Sequence, residues 1–69
     1  MNLIEGIQAE CNRLRDVVIP QYQDPALKGA GEIAIALMRI DIEEGEASIA
    51  SGDVVRMLSA LTMLKENGK

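Results

Sequence analysis

Apolar residues recur along this chain with the spacing of an α-helix face, in three successive segments separated by proline, glycine and aspartate. In the first, Ile4, Ile7, Cys11, Leu14 and Val18 fall at intervals of 3-4-3-4 and form one seam. Asn2 ahead of it is a good N-cap, and Glu5 three residues on has the place of a capping-box partner. Helix one is therefore predicted to start at Asn2. Pro20 offers no amide hydrogen, and its ring crowds the preceding turn. Two outcomes follow: helix one ends near Ile19, or it kinks and runs on through Gln21-Tyr22-Gln23. Asp24-Pro25 then reads as an N-cap followed by proline at the first helical position, opening a short turn from Pro25 to Lys28. Gly29-Ala30-Gly31 is the expected flexible joint.

Helix two is predicted from about Ala30 to Ala50. Ile33-Ala34-Ile35-Ala36-Leu37-Met38 is apolar without a break. Six residues make about one and two-thirds turns, so apolar side chains point to every side there and must all be covered. Two short flanking helices cannot cover such a belt, and a second copy of the chain is expected against the bare side. The 3-4-3-4 stripe of Ile35, Met38, Ile42, Gly45 and Ile49 marks the face, with Ile33, Leu37 and Ile40 as an adjacent stripe. Ile35, Met38, Ile42 and Gly45 are the expected oligomer-interface residues. Glycine inside a helix costs roughly 1 kcal/mol against alanine, which close approach of another backbone at Gly45 would explain. Gly52 and Asp53 supply a left-handed C-cap and the next N-cap. Helix three is expected from Val54 to about Glu66, with Val54, Met57, Leu58, Leu61 and Leu64 on one face and a frayed tail, Asn67-Gly68-Lys69. The fold class is all-α: one short three-helix domain spanning residues 1–69, helix two long and central, assembled as a homo-oligomer.

Size strengthens the expectation of assembly. A domain of 69 residues buries only about 60% of its unfolded surface and usually needs disulfides, a metal or oligomerisation. One cysteine and no histidine rule out an internal disulfide and a structural zinc site. The sole aromatic is Tyr22, so the core must be aliphatic. A net charge of −4 argues against a nucleic-acid polymer as partner, since a phosphate backbone calls for a cationic footprint. No apolar stretch reaches the ~18–20 residues of a membrane span, and Met-Asn-Leu-Ile-Glu-Gly lacks the basic start of a signal peptide. The expected location is cytoplasmic.

Little in the sequence points to catalysis. Cys11 lies on the seam of helix one with no histidine to activate it, so it reads as core rather than nucleophile, and an enzyme is not expected. The acids Asp41, Glu43, Glu44 and Glu46 lack the spacing of a calcium loop and read as a solvated face, with Arg39 placed to pair with Glu43 at i+4. Neither metal nor cofactor is expected. The remaining constellation is Arg13 and Arg15, Tyr22, and Lys28-Gly29-Ala30-Gly31. Arginine forks suit phosphates, glycines at a helix start let amides approach an anion, and Tyr22 can stack on a base. Acidic neighbours Glu10 and Asp16 weigh against this, and ordinary surface plus hinge is the alternative. Arg13 and Arg15 lie about 200° apart on a helix, so at most one faces the Tyr22 side unless a second subunit brings in the other.

The opening Met-Asn-Leu-Ile-Glu-Gly-Ile-Gln-Ala-Glu-Cys-Asn-Arg-Leu-Arg resembles the start of very small accessory proteins encoded by tailed bacteriophages and prophages. The resemblance continues through Val18-Ile19-Pro20, Tyr22, the glycine joint and Ile49-Ala50-Ser51-Gly52-Asp53-Val54-Val55, and so covers most of the chain. It implies an accessory, anti-defence role in the host bacterial cytoplasm by stoichiometric binding, either blocking a host protein or sequestering a nucleotide immune signal at subunit interfaces. In the sequestering reading, Arg13, Arg15 and Lys28 engage phosphates, Tyr22 stacks, and Gly29 and Gly31 allow close approach. The competing reading is a protein–protein inhibitor using an exposed apolar patch or the free 41–46 acids. A phage assembly adaptor stands behind both.

Overall fold

A computed structural model describes residues 2–67, and those residues are helical almost throughout, with no strand. The elements are α1 (Leu3–Arg13), a π-helical turn (Leu14–Val18), α2 (Ile19–Tyr22), a 3₁₀ turn (Pro25–Leu27), α3 (Lys28–Ser51) and α4 (Val54–Glu66). Three rods result, because α1, the π turn and α2 run on as one, and they pack into a body of 39 × 19 × 17 Å.

The caps follow local chemistry. Asn2 Oδ1 accepts from the Glu5 amide at 2.8 Å, and its side-chain NH₂ donates to Glu5 Oε1 at 3.3 Å. Asp24 accepts from the Ala26 amide, and Asp53 from those of Val55 and Arg56. Gly52 takes the left-handed conformation (φ 72°) that ends α3. Helix two begins earlier than its glycines suggest, at Lys28 rather than Ala30. Tail residues 68 and 69 lie outside the described residues.

Of the two outcomes open at Pro20, the rod runs on. The Ile19 amide donates to the Leu14 carbonyl, one residue further back than in an α-helix. Widening the turn relieves the clash between the Pro20 ring and the carbonyl four residues earlier, and loses no hydrogen bond that proline could have made. The extra residue also turns both Val18 and Ile19 inward, where both are buried. At the other end of the seam Ile4 is 41% exposed, and Leu3 packs against the core in its place.

The core is aliphatic: Ile7, Leu14, Val18 and Ile19 from the first rod, Met38 and Ile42 from α3, Met57 and Leu64 from α4. Gly45 marks where the three rods meet. A Cβ there would lie 2.9 Å from Leu64 Cδ1, 3.2 Å from Ile7 Cγ2 and 3.3 Å from Cys11 Sγ. Ser48, one turn on, is fully buried and satisfied by donating to the Gly45 carbonyl at 2.6 Å.

The residues expected at a subunit interface thus lie on the inner face of the chain itself. Met38, Ile42 and Gly45 are buried and Ile35 is half-buried, because both the first rod and α4 pack on that stripe of α3. Left bare is the second stripe, with Ile33 65%, Leu37 57% and Ile40 59% exposed. Helix length explains this. At about 1.5 Å per residue α3 is about 36 Å long and α4 about 20 Å. Asn67, just past α4, donates to Asp41 at 2.7 Å, so α4 ends near the level of Asp41, well short of the start of α3. On α4 the inward face is Met57, Ala60 and Leu64, whereas Val54 and Leu58, expected inside, are more than half exposed.

Cys11 is buried within this packing, and burial, reinforced by the Glu46 carboxylate, pushes its thiol above the usual range despite the opposing pull of Arg15. Cys11→Ala is expected to cost about 1–2 kcal/mol in chemical denaturation through lost packing. The native thiol lies at a shallow surface cleft and should react with an aromatic disulfide reagent more slowly than the thiol of the unfolded chain.

Candidate functional site

The two arginines of the first rod are engaged within the chain. Arg13 Nε pairs with Glu10 at 2.6 Å, while its Nη2 donates to the carbonyls of Leu64 at 3.1 Å and Asn67 at 2.9 Å. It closes the carbonyl end of α4, where a cation also complements the helix dipole. Arg15 crosses to α3 and meets Glu46 at 2.7 Å, in a shallow cleft with Gln8 and Asn12.

Tyr22 and Lys28 do come together. They line one shallow pocket at the start of α3 with Gln23, Asp24, Glu32 and Ile35. Tyr22 is half-buried, and it also borders an adjoining apolar groove with Leu27, Ala30, Gly31 and Ala34. Lys28 has no ion-pair partner among the described residues. Two carboxylates share this rim: Asp24, whose Oδ1 accepts from the Ala26 amide, and Glu32, and neither has an ion-pair partner among the described residues. Lys28 alone among the described non-glycine residues has a positive φ, 53° with ψ −135°. That is the mirror image of an extended conformation, open to glycine but costing an L-residue on the order of 1–3 kcal/mol.

The two glycines of the joint differ. A Cβ on Gly29 would meet open space, whereas a Cβ on Gly31 would collide with the Tyr22 carbonyl oxygen and lie 3.1 Å from Leu27 Cβ. Gly31 is a crossing point that lets α2 lie directly on α3. Of the six nominated ligand residues, the chain therefore groups Tyr22, Lys28, Gly29 and Gly31 at one end. Arg13 and Arg15 are held elsewhere by the bonds given above.

The acidic run is solvated but partly engaged, with Glu43 exposed and without an ion-pair partner among the described residues. Glu44 holds Arg56 through two bonds of 2.7 and 2.8 Å, which depress its carboxyl pKa, Glu46 holds Arg15, and Asp41 accepts from Asn67. The Arg39–Glu43 pair expected from i+4 spacing is not formed. Among the described residues, no three His, Cys, Asp or Glu side chains are placed to hold a metal ion, and no helix is long and apolar enough to cross a membrane.

No protein-family model matches the chain, and comparison with curated proteins and with solved structures returns no match.

Sequence reasoning missed a second feature, the exposed apolar cluster of Val54, Val55 and Leu58 at the start of α4. Its signal is the 3-4 spacing of Met57, Ala60 and Leu64, which fixes the inward face and leaves the other apolar residues outside.

Proposed function

We propose that this protein is a non-catalytic, stoichiometric binder that works as a homo-oligomer and holds a small anionic, nucleotide-type ligand in the pocket of Tyr22 and Lys28. One observation carries the reading: Lys28 sits unpaired at a backbone position suited to glycine, beside the chain's only aromatic residue. A strained residue persists where its side chain is needed. Here the ammonium would meet a phosphate at the amino end of the 24-residue α3, where the helix dipole also favours an anion. The phenol ring would stack on a base. Within the phage setting that the sequence resemblance implies, such a ligand is a nucleotide immune signal removed from circulation by sequestration in the host cytoplasm.

Lys28→Gly separates this role from a structural one. Relief of the positive φ should raise stability by about 1 kcal/mol, while loss of a charge-assisted contact should weaken binding roughly tenfold to a hundredfold. Tyr22→Ala should weaken binding without that gain. Calorimetry against a panel of cyclic and linear nucleotides, with thermal melts in parallel, reads both quantities. Failure of wild type to bind any of them at micromolar affinity would remove the nucleotide reading.

A second reading rests on the exposed Val54, Val55 and Leu58, which suit inhibition of a host protein through apolar contact. Wild-type binding to a target that Val55→Asp abolishes, in the absence of nucleotide binding, would favour it.

A further inference from the structure

We infer that two copies of this chain pair through the bare face of α3, antiparallel, about a two-fold axis passing between Ala36 and Leu37, and that each copy lends Arg39 to the other's Tyr22–Lys28 pocket. This rests on the reading of the protein as a self-associating binder, and it names the face, the symmetry and the residue that crosses.

The face is self-complementary in that register. A two-fold axis between positions 36 and 37 sets Ile33 level with the partner's Ile40, a contact occurring twice, and brings the two copies of Leu37 side by side at the axis. Ile33, Leu37 and Ile40 are the three large apolar residues that α3 leaves more than half exposed, and their 4- and 3-residue spacing makes one stripe.

Charge agrees with the same register. Arg39 and Glu32 stand on one flank of the stripe, and neither has an ion-pair partner within the chain among the described residues. The axis brings Arg39 within two residues, about 3 Å along the helix, of the position facing the partner's Glu32. A parallel pairing would instead put Arg39 and Glu32 of the two copies on opposite flanks of the seam, out of reach of one another. Glu32 lies on the rim of the Tyr22–Lys28 pocket. Arg39 arriving from the second copy therefore offsets the Glu32 carboxylate and brings a second cation to a rim that also carries Asp24. On the opposite flank, the end of α4 carries the exposed Met63. It comes level with the partner's groove of Tyr22, Leu27, Ala30 and Ala34, filling the space that the partner's own short α4 leaves open.

Sedimentation equilibrium of the full chain at micromolar concentrations tests this without any ligand. The wild type is expected to be a dimer or a higher even-numbered assembly. Leu37→Asp and Ile40→Asp, checked as folded by circular dichroism, should each weaken association at least about a hundredfold by burying an unpaired charge. Arg39→Glu and Glu32→Arg alone should each weaken it about tenfold, and the double reversal should restore it to within about threefold of wild type. A wild-type monomer overturns the pairing, and calorimetry of that monomer then decides the nucleotide reading separately. Association that survives Leu37→Asp overturns this face but leaves a homo-oligomer standing. Failure of the double reversal to rescue overturns the antiparallel register.

Discussion

Gly31→Ala should destabilise the protein by about 3 kcal/mol, the upper end of the usual range for overpacking. The added methyl group would occupy the place of the Tyr22 carbonyl oxygen, and a backbone oxygen cannot swing aside as a side chain can. To admit it, α2 must lift off α3, which uncovers Ile19 and loosens the 3₁₀ turn. Alanine's better helix propensity, about 1 kcal/mol, offsets only part of this. A small domain has a total stability of roughly 0.05–0.15 kcal/mol per residue, so the variant should be partly unfolded at 37 °C. Gly29→Ala, two residues away and facing open space, is the control and should gain slightly. Equal melting temperatures for Gly31→Ala and wild type would show that α2 does not bear on α3 as described.

Met38→Asp is expected to abolish folding outright, whereas Leu37→Asp should leave a folded chain. The two neighbours are 3% and 57% exposed, so one substitution buries a carboxylate among Ile42, Val18 and Ile19 and the other sets it in water. Burying an unpaired ion costs several kcal/mol, comparable with the whole stability of the domain. Circular dichroism at 222 nm separates the outcomes: coil for Met38→Asp, helix for Leu37→Asp. A helical Met38→Asp chain would mean that the inner face of α3 has been misassigned.

That pair of residues also shows where sequence reasoning runs out. The caps at Asn2, Asp24 and Asp53 were legible because each depends on atoms within three residues. The long central helix was legible from its period. Which stripe of an all-round apolar belt turns inward was not, since it depends on how the first rod and α4 pack on α3, with α4 ending near the level of Asp41. At Pro20 local chemistry permitted two outcomes, and only the packing of Val18, Ile19 and Tyr22 against α3 selects between them. The site divides in the same way. Tyr22 and Lys28 are six residues apart and share a pocket through local turns. Arg13 caps carbonyls 51 and 54 residues away, a contact with no periodic or motif signature.

The π turn before Pro20 has a consequence for how the chain can vary. It holds one residue more than an α turn, and the wider turn absorbs that residue without changing the phase of the rod on either side. Exposed Val17 within it can change identity at little cost. Its deletion would close the turn to α geometry and leave Ile19 in the core and the Tyr22 carbonyl against Gly31, because Ile19 already stands where the fourth residue of an α turn would. What returns is the clash of the Pro20 ring with the carbonyl four residues before it. The extra residue and the proline are thus a matched pair, and a variant that loses the one should lose the other as well.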